Sequence, residues 1–568
     1  MRLPLLFLVS TAICFAQVPS SRPVPSFEDV SRAAGLTVPH ITSPDELYLI
    51  ESTSGGVGFI DCDNDGKLDI VTVNGSSVDR YHRGGDLMVT LYHQDANLKF
   101  TDITQAAGLM RKGWGMGVAV ADFDNDGWQD LYVTGYGGNV LYRNLGNCKF
   151  EDVTEKAGLR VGGFSTGAAW GDYDRDGKVD LFVPRYVHED MNALPETHPN
   201  GTPCNYLAVR VLCGPDGLTG ESDLLFHNRG DGTFEDVSRK AGVDDPEHRF
   251  GMQALWADFE NDGWPDLYVA NDTGANYLYR NKHDGTFEDI GLESGAALTG
   301  EGRLHASMGV DVADFDHSGR YGIIVTNFSQ EGASLFYNTG QAGFDDISSN
   351  AGLLLPTFPY VGWGTSFFDV DNDGWPDILV ANGHAYPQME SVKGGVPYRE
   401  PLLLFRNNRD RTFEDVTTLS GLNNLPRKAR RGAAFGDVNN DGKVDVLLLN
   451  VGEPPTLLIN RTATTNHAVL FHLVGTKSNK AAIGARVAVT ANGMVQFNEV
   501  RGGSSYCSQN DLRLHFGLGA SDKMSTVEIS WPSGAKETLQ GLSADFIYTI
   551  VEGQGVQQKT PFTPTNTQ

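Results

Sequence analysis

One acidic motif of nine residues, DxDxDGxxD, recurs along this chain and constrains its fold more than any other feature. Its seven copies begin at Asp61, Asp122, Asp172, Asp258, Asp314, Asp369 and Asp437. Repetition of one motif along a chain is typical of architectures in which each repeat forms one supersecondary unit and packs on its neighbours. The chain is therefore expected to be a repeat protein with seven units.

The same four segments surround each copy in the same order. A glycine-containing segment leads into the motif, a β-rich segment such as DLYVTG follows it, and an LYRN-like segment and an F-x-D-[VI] segment complete the unit. The LYRN-like segments begin at Leu91, Leu141, Leu225, Leu278, Leu335, Leu404 and Leu457, and the F-x-D segments at Phe27, Phe100, Phe150, Phe234, Phe287, Phe344 and Phe413. Four short strands per unit, with no comparable helical period, predict an all-β fold, a seven-bladed β-propeller.

The two ends of the repeat region complement each other. The chain begins with an F-x-D-V segment at Phe27 that has no acidic motif before it, and the last unit, which contains Asp437, lacks that segment. We therefore expect residues 27–31 to complete the seventh blade and the propeller to span residues 25–462. Such closure removes the open sheet edges that invite aggregation. An open solenoid, the alternative repeat architecture, gives no reason for complementary ends.

The acidic motif matches the needs of a hard cation. Ca²⁺ takes about 6–8 oxygen ligands, and the carboxylates at motif positions 1, 3 and 5 can converge on one point, while the glycine at position 6 permits a sharp turn. The acidic residue at position 9 completes the shell. An EF-hand loop would need glutamate at position 12, where three copies have Thr72, Val133 and Val269. Solvated acidic turns are the alternative, but they do not explain seven copies in register with the strands.

The expected calcium ligands follow from these positions. They are Asp61, Asp63, Asp65 and Asp69; Asp122, Asp124, Asp126 and Asp130; Asp172, Asp174, Asp176 and Asp180; Asp258, Glu260, Asp262 and Asp266; Asp314, Asp316 and Ser318; Asp369, Asp371, Asp373 and Asp377; and Asp437, Asn439, Asp441 and Asp445. The fifth motif has Ser318 at position 5 and Gly322 at position 9, so its occupancy is left open. About six or seven calcium ions are expected.

The charge balance limits the expected partners, and the N-terminal segment indicates the cellular location. The chain has 72 acidic and 44 basic residues and a formal net charge of −28, which disfavours nucleic acid and anionic membranes as partners. Residues 1–16 have the basic start, the apolar stretch and the small residues of a signal peptide, and no later stretch is apolar enough to span a membrane. The mature protein is therefore expected to be secreted, without membrane insertion, and free, periplasmic or held at the cell surface.

These repeats resemble FG-GAP/VCBS repeats, the calcium-loop blades that also build the propellers of integrin α-subunits. Residues 466–552 are similar to the ASPIC/UnbV module, a resemblance carried by SNKAAIGARV, VRGGSSYCSQ, LRLHFGLG and VEISWPSG. The combination resembles the cartilage acidic protein 1 family and implies an extracellular calcium-binding protein. The alternating strands of residues 466–552 also predict a small β-sandwich-like domain, and residues 553–568, rich in Gln, Thr and Pro, predict a disordered tail.

Cysteine spacing fits an exported protein. Cys204 and Cys213 lie close together in the longest insertion, and we expect a local disulfide between them. Cys62 lies in the first acidic motif and Cys148 in the outer turn of the second unit, so adjacent blades can bring these two together. Cys507 is then left unpaired, either buried or available for an intermolecular bond.

A binding surface is expected on the face away from the acidic loops. Insertions at about 74–88, 185–222 and 383–401 lie at the strand ends opposite these loops and should rise over one face. They carry the candidate ligand-binding residues Tyr81, His82, Tyr186, His188, His384, Tyr386 and Tyr398. Aromatic side chains with polar tips suit an extracellular protein or glycan partner. The alternative is that these loops merely vary in length.

The sequence contains no constellation that indicates catalysis. An HExxH helix, a CxxC pair and a phosphate-binding glycine loop are all missing from the sequence, and the paired carboxylates are explained as calcium ligands. The chain is therefore expected not to be an enzyme. Two alternatives stay open: a propeller enzyme acting on an extracellular polysaccharide, through the loop residues His188, Glu189, Asp190 and His384, and a structural scaffold of a matrix or cell surface.

Overall fold

A computed structural model describes residues 22–43, 48–192, 195, 197–215 and 217–564. The predicted signal segment, residues 1–16, lies outside the described residues. The described chain is all-β apart from short helical turns, as the repeat pattern predicted. No helix in this part of the chain has the length and apolar character needed to cross a membrane.

Seven antiparallel sheets, here called blades 1 to 7, form the larger part of the described chain. β1 (Phe27–Asp29) precedes blade 1, which contains β2 (Val57–Ile60), β3 (Asp69–Val73), β5 (Val89–Gln94) and β6 (Phe100–Asp102). Blade 2 contains β7 (Lys112–Ala121), β8 (Asp130–Tyr136), β9 (Val140–Asn144) and β10 (Phe150–Asp152), with β4 (Asp86–Leu87) beside β7. Blade 3 contains β11 (Ala169–Gly171), β12 (Asp180–Val183), β15 (Leu224–Asn228) and β16 (Phe234–Asp236), and its insertion forms the hairpin β13 (Asn205–Tyr206) and β14 (Val209–Arg210).

The remaining blades repeat the pattern. Blade 4 contains β17 (Phe250–Ala257), β18 (Asp266–Asp272), β19 (Tyr277–Asn281) and β20 (Phe287–Asp289). Blade 5 contains β21 (Val310–Ala313), β22 (Gly322–Val325), β23 (Ser334–Gly340) and β24 (Gly343–Asp346). Blade 6 contains β25 (Gly362–Phe368), β26 (Asp377–Asn382), β27 (Leu403–Asn407) and β28 (Phe413–Asp415), and blade 7 contains β29 (Arg430–Gly436), β30 (Asp445–Asn450) and β31 (Thr456–Asn460).

Short helical turns join the strands. They are α1 (Ser31–Ala34), α2 (Leu49–Thr53), α3 (Val78–His82), α4 (Thr104–Ala107), α5 (Thr154–Ala157), α6 (Ser238–Ala241), α7 (Gly291–Ser294), α8 (Leu354–Thr357) and the 3₁₀ turns Pro387–Ser391 and Leu422–Asn424. Most of the α-helical turns follow an F-x-D strand and end at a glycine with positive φ, which satisfies their last carbonyl groups.

The ring of blades is closed by the N-terminal strand. The strands that lead into the acidic loops are innermost, and each packs on its two neighbours in the order β2, β7, β11, β17, β21, β25, β29 and back to β2. β1 pairs antiparallel with β31, with Phe27 opposite Asn460, and so supplies the fourth strand of blade 7.

An amide side chain at the end of each LYRN-like strand joins its blade to the preceding one. In the described ring, the amide nitrogen donates to the carbonyl oxygen of acidic-motif position 2 in the preceding blade, at 2.8 to 3.0 Å. The pairs are Gln94 with Val438, Asn144 with Cys62, Asn228 with Phe123, Asn281 with Tyr173, Asn338 with Phe259, Asn407 with Phe315 and Asn460 with Val370. The recurrent last letter of LYRN is therefore a link between blades.

The C-terminal domain is a sandwich of two four-stranded sheets in the described residues. One sheet contains β32 (His467–Val474), β35 (Leu514–Gly519), β38 (Phe546–Val551) and β39 (Gly555–Pro561). The other contains β33 (Arg486–Ala491), β34 (Met494–Glu499), β36 (Thr526–Ser530) and β37 (Lys536–Gln540). Apolar side chains from both sheets, including Val469, Val487 and Ile529, are buried together in its core.

The prediction of a disordered tail from residue 553 is wrong for the described residues. β39 pairs with β38, and the ammonium group of Lys559 lies 3.8 Å from the centre of the Phe546 ring. The backbone N–H of Thr563 donates to the carbonyl of Asn440 at 2.7 Å, which ties the segment to blade 7. Composition failed here because an edge strand is held by main-chain hydrogen bonds, which Gln and Thr supply as well as apolar residues do.

The segment between β34 and β35 enters the central channel of the propeller. Residues 501–511, here called the plug, hydrogen-bond to the innermost strands or the segments leading into them. The contacts are Phe59 N to Gln509 O, Val118 N to Cys507 O, Trp170 N to Gly502 O, Cys507 N to Gln253 Oε1, Val310 N to Ser505 O, Thr365 N to Ser505 Oγ and Phe435 N to Asn510 Oδ1. Every blade of the described ring thus bonds to the plug.

Glycine is needed where the plug passes the innermost strands. A Cβ atom at Gly56 would lie 1.9 Å from the carbonyl oxygen of Cys507, and one at Gly432 would lie 2.5 Å from Ser508 Oγ. The plug residues Tyr506 and Gln509 are buried completely. The channel is therefore filled by the chain itself and is not an open ligand cavity.

Candidate metal centre

Each acidic loop connects the innermost strand of a blade to its second strand and wraps around its own first carboxylate. In blade 1 the backbone has φ of 57° at Asn64, position 4, and 82° at Gly66, position 6. These two left-handed residues turn the N–H groups of Asp65 and Gly66 toward Asp61, at 3.1 and 3.0 Å. The same alternation of positive φ recurs in the loops of the other blades.

The aspartate at position 9 is held in place by the backbone. Asp130 Oδ2 accepts from the N–H of Phe123 at 3.0 Å, and its Oδ1 accepts from the N–H of Asn144 at 2.7 Å. The equivalent aspartate makes the same pair of contacts in the other loops that retain it. In blade 5 this position is Gly322, and the guanidinium of Arg320 instead donates to Asn338 O at 3.0 Å. Position 9 therefore orders the loop in addition to offering a ligand oxygen.

The sixth loop provides the clearest test of whether a cation fits. Asp371 is 1% exposed, and neither of its carboxylate oxygens has a hydrogen-bond partner among the described residues. Burial first, and the charge of Asp373 second, raise the pKa of Asp371 to about 6. A buried carboxylate without a partner is costly, and a divalent cation held by Asp369, Asp371 and Asp373 would remove that cost. The residues present fit calcium.

Other loops show the same condition to a lesser degree. Single buried carboxylate oxygens without a described partner occur at Asp124, Asp172 and Asp314. Burial is the main cause that raises the pKa of Asp61 to about 6, of Asp122 to about 7 and of Asp172 to about 8, and neighbouring carboxylates add to it. Clustered carboxylates repel one another when they are ionised, and a bound cation relieves this repulsion.

Basic side chains share several of these carboxylates, so the loops are not equivalent. Arg143 contacts Asp124 at 2.5 Å and Asp126 at 2.9 Å in blade 2, and Arg409 contacts Asp373 at 2.7 Å in blade 6. In blade 3 the position that corresponds to Arg143 holds His227, whose Nδ1 lies 3.1 Å from Asp180 Oδ1. The sequence motif gave no indication of these differences.

The fifth loop retains part of a site. Asp314 Oδ1 and Ser318 Oγ are buried and have no described hydrogen-bond partner, whereas Asp316 accepts from Arg411 Nε at 2.8 Å. Burial raises the pKa of Asp314 to about 7. With no carboxylate at Gly322, this loop offers fewer oxygens than the others.

Asparagines at motif position 4 join most of the loops into a ring. Their Nδ2 atoms donate to the carbonyl oxygen of the position 6 glycine in the next loop, at 2.9 to 3.1 Å. The pairs are Asn64 with Gly127, Asn125 with Gly177, Asn261 with Gly319, Asn372 with Gly442 and Asn440 with Gly66. At the two remaining boundaries position 4 holds Arg175 and His317, which contact Pro532 O at 2.8 Å and Val495 O at 3.1 Å in the C-terminal domain. The recurrent Asn was visible in the sequence, but its partner was not.

The insertions expected to form a binding face pack against one another. Tyr206 of the blade 3 insertion contacts His384 and Tyr386 of the blade 6 insertion, with ring centres 5.1 and 5.6 Å apart. Tyr186 and His384 are buried, and the Tyr186 hydroxyl donates to Asp272 Oδ2 at 2.5 Å. Burial lowers the pKa of His384 to about 3. The expectation that Tyr186 and His384 are presented to a partner is wrong, because their aromatic rings close this end of the channel.

The other candidate residues of this face have different surroundings. Tyr81 is half-buried against Trp114 and Tyr136, with ring centres 5.9 and 5.7 Å away. Tyr398 is partly buried, and its carbonyl accepts from the N–H of His384 at 3.0 Å. His82 and His188 are exposed, so of the histidines proposed for a catalytic cluster His188 faces solvent while His384 does not.

The expected disulfides are confirmed. Cys62 bonds to Cys148, with Cα atoms 4.8 Å apart, and joins the first acidic loop to the outer turn of blade 2. Cys204 bonds to Cys213, with Cα atoms 5.2 Å apart, and closes the tip of the blade 3 insertion. Cys507 is a free thiol buried in the plug.

Comparison with protein-family models identifies both parts of the chain. Residues 61–133, 122–183, 211–269 and 258–325 match the FG-GAP-like repeat. Residues 475–557 match the model described as ASPIC and UnbV. The resemblance inferred from the motifs is confirmed.

The chain is also similar to curated proteins. It is 28% identical over 333 residues to cartilage acidic protein 1 of Homo sapiens, covering 56% of this chain and 46% of that protein. It is 33% identical over 98 residues to integrin alpha-3 of Cricetulus griseus, covering 17% of this chain and 8% of that protein. The chain spans about half the length of the cartilage acidic proteins it matches. A solved structure of BBS1N in complex with ARL6DN covers 78% of this chain and 99% of that chain at 11% identity, with a TM-score of 0.42.

Proposed function

Because this chain carries FG-GAP-like repeats followed by an ASPIC and UnbV domain, we propose that it is a secreted, calcium-binding propeller protein that binds extracellular protein or glycan partners. The observation that carries the calcium part of the proposal is the orphaned carboxylate of Asp371. Both of its oxygens are buried beside Asp369 and Asp373, where a divalent ion would supply the missing partner.

The number of ions is part of this proposal. Six loops keep carboxylates at positions 1 and 9, and the fifth loop keeps only Asp314, Asp316 and Ser318. We therefore propose about six ions per chain, one in each of these six loops, and only weak binding at the loop of blade 5. Elemental analysis of the calcium-loaded protein would count them, and fewer than three ions per chain would refute the assignment of the motif as a general calcium loop.

A secreted location is supported by the two disulfides in the described residues and by the signal-like character of residues 1–16. Cys62, Cys148 and Cys204 are buried, and structural disulfides of this kind form and persist in oxidising compartments. Mass spectrometry of the protein from culture medium, before and after reduction, tests the location and the pairing together. A chain found only inside cells with four free thiols at these positions would contradict the proposal.

Because its central channel is occupied by protein, the structure favours a binding role over catalysis. The plug occupies the central channel of the propeller, and aromatic residues close the other end of that channel. The residues of the alternative catalytic cluster lie in unlike surroundings, since His188 is exposed while burial raises the pKa of Glu189 to about 7. A polysaccharide-cleaving enzyme stays the second candidate, and a matrix scaffold without a discrete ligand the third.

The binding role is tested with calcium-loaded protein on arrays of extracellular proteins and glycans. The His188→Ala variant separates the candidates, because loss of a turnover would favour an enzyme, whereas loss of retention without any turnover would favour a binding protein. Asp371→Asn serves as a control for the metal state. Absence of retention on both arrays, in the presence of bound calcium, would favour the scaffold.

A further inference from the structure

The acidic loop of blade 3 has a histidine beside its carboxylates where blade 2 has an arginine. In blade 2 the third letter of the LYRN-like strand is Arg143, whose guanidinium contacts Asp124 and Asp126. In blade 3 the same letter is His227. A guanidinium stays charged and only donates hydrogen bonds, whereas a neutral imidazole offers a nitrogen lone pair to a metal ion. The loop of blade 3, residues 172–180, therefore has beside it a type of metal ligand that an arginine cannot supply.

The imidazole of His227 faces two carboxylates of this loop with one nitrogen. Its Nδ1 lies 3.1 Å from Asp180 Oδ1 and 3.5 Å from Asp174 Oδ2, and ligand atoms of the three residues all lie within 4.8 Å of one another. Bonds from zinc to nitrogen or oxygen are about 2.0–2.2 Å long, so neighbouring ligands of a tetrahedral ion lie about 3.4 Å apart. The three side chains thus have the spacing of ligands that share one ion.

Asp172, at the first position of the same loop, has an oxygen without a partner. The residue is 4% exposed, and its Oδ2 accepts from the N–H of Gly177 at 3.1 Å, whereas its Oδ1 has no hydrogen-bond partner among the described residues. Buried carboxylate oxygens are normally paired, so this one indicates a ligand from outside the chain. A metal ion can approach it where water cannot, because a metal–oxygen bond of about 2.1 Å is shorter than a hydrogen bond of about 2.8 Å.

The loop is open to solvent on the side of the histidine. The side chains of His227 and Asp174 keep 25% and 28% of their surface exposed, so an ion can enter between them without displacing a blade. Asp180 is completely buried, and its Oδ1 is held by the N–H of Asn228 at 2.8 Å. The site therefore combines one fixed carboxylate with two side chains that can adjust to an incoming ion.

Two other histidines beside acidic loops are arranged differently. His93 of blade 1 contacts Asp63 through Nε2 at 3.1 Å, but its Nδ1 lies 3.3 Å from Asp95, which is outside the loop. His283 of blade 4 contacts one carboxylate, that of Asp262, at 2.8 Å. The blade 3 histidine differs from both because one nitrogen faces two expected ligands of the same loop.

We propose that the acidic loop of blade 3 binds a first-row transition-metal ion such as Zn²⁺ in preference to Ca²⁺, with His227 as its nitrogen ligand. The oxygen ligands are Asp172, Asp174 and Asp180. Imidazole suits Zn²⁺ and its neighbours in the first row, whereas Ca²⁺ takes oxygen ligands. The proposal rests on the proposed calcium function, because it takes the motif to be a cation loop, and it adds a second kind of metal. In calcium alone, the carboxylates of this loop still hold Ca²⁺.

The test uses the full chain without a histidine tag, loaded with calcium and titrated with Zn²⁺. We expect one equivalent of zinc to bind most tightly and to release one calcium ion, both counted by elemental analysis after dialysis. X-ray absorption at the zinc edge should show one imidazole ring among oxygen neighbours. His227→Gln should weaken the zinc affinity about tenfold or more, because loss of a ligand costs at least as much as loss of a group that orients one. The calcium count of this variant should stay unchanged.

Two further variants sharpen the result. His227→Arg gives blade 3 the residue of blade 2, and it should hold calcium without binding zinc tightly. His188→Gln, at an exposed histidine of the blade 3 insertion, is the matched control and should keep the zinc affinity of the wild type. Equal zinc affinity of His227→Gln and the wild type, or a zinc spectrum without imidazole, would overturn the proposal.

Failure of this site is distinguishable from failure of the proposed function. The calcium content is measured before any zinc is added, so a chain whose acidic loops bind no calcium would be detected at that step. A protein that holds about six calcium ions and releases none of them to zinc would refute the transition-metal site and leave the calcium function standing.

Discussion

The hydroxyl of Tyr506 donates a hydrogen bond to the carbonyl oxygen of Thr53, 2.7 Å away. The two residues are 453 positions apart in the chain, and they meet at the end of the channel opposite the acidic loops. The contact shows that the plug passes through the whole ring, because its base at Gly502 bonds to Trp170 near the loop face. The C-terminal domain is therefore an internal support of the propeller as well as its neighbour.

The first prediction concerns the fit of the plug. Gly56→Ala would place a Cβ 1.9 Å from Cys507 O, and the rigid backbone on both sides cannot yield. We expect the free energy of unfolding to fall by about 3 kcal/mol, as measured by denaturant titration. Gly162→Ala, at a glycine with no atom within 4 Å of its added Cβ, is the matched control and should change the stability little. Equal effects of the two substitutions would mean that the plug is not tightly held.

The second prediction concerns the sixth calcium loop. Asp371→Asn removes a buried charge that has no partner without metal, so the variant should unfold at a temperature equal to or above that of the wild type in EDTA. In calcium it should be the less stable protein, because the ion then binds one carboxylate fewer. The calcium-induced stabilisation should decrease by about 1–3 kcal/mol, measured as the difference between thermal unfolding with and without the ion.

Asp65→Asn, in the more exposed first loop, is the control for this experiment. Its effect in EDTA should be small, because Asp65 is exposed and already receives the N–H of Lys67 at 2.8 Å. If Asp371→Asn destabilised the protein in EDTA as much as in calcium, the carboxylate would have a role other than binding the ion.

The third prediction concerns acid stability of the C-terminal domain. Glu552 Oε2 accepts from the backbone N–H groups of Thr476, Lys477 and Ser478 at 2.8, 2.7 and 2.9 Å, and Oε1 accepts from Ser533. Burial raises the pKa of Glu552, but these hydrogen bonds, that from Ser533 foremost, outweigh it and hold the pKa at about 2. Because this value lies below the ordinary 4.5, the carboxylate stabilises the fold fully above pH 4.5. That contribution is lost as the pH falls toward 2.

Glu552→Gln should therefore lower the free energy of unfolding by roughly 2–3 kcal/mol at pH 7, and by progressively less as the pH falls from 4.5 toward 2. Glu528→Gln, an exposed position in the same domain, should show no such pH dependence. Urea titrations of the three proteins between pH 2 and pH 7 give the comparison, and a constant difference across that range would contradict the assignment.

The fourth prediction compares the two disulfides. Cys62 and Cys148 are 86 residues apart, whereas Cys204 and Cys213 are 9 residues apart, so the first constrains the unfolded chain more. Replacing both cysteines of the long bridge with alanine should lower the free energy of unfolding by about 4 kcal/mol. Replacing both cysteines of the short bridge should lower it by about 2–3 kcal/mol. Denaturant titration of both double variants measures the difference. A larger loss from the short bridge would show that strain or loop packing decides the effect.

The propeller and its disulfides could be predicted because they rest on local, repeated signals. The strand segments recur at each acidic motif, and the surplus segment at Phe27 matched the segment that the last unit lacks. Cys62 and Cys148 could be paired because neighbouring units of a ring are also neighbours in sequence. None of these inferences required knowledge of how distant side chains meet.

The plug and the closed opposite face could not be predicted for the converse reason. Residues 501–511 have the composition of an ordinary polar turn, and only the ring of backbone N–H and carbonyl groups in the channel gives them partners. Tyr186 and His384 looked like surface residues because they occur in long insertions, whereas burial depends on the insertion of another blade lying over them. Such contacts between distant segments produce no periodic pattern in the amino-acid sequence.

The pairing of Phe27 with Asn460, together with the plug, sets the order in which a growing chain can fold. A ribosome releases residue 27 long before residue 460, and it releases the plug later still. No early segment can complete the ring, and long-range pairing of this kind is slow. The first blades must therefore wait, exposed and without their axial support, until almost all of the polypeptide has been made.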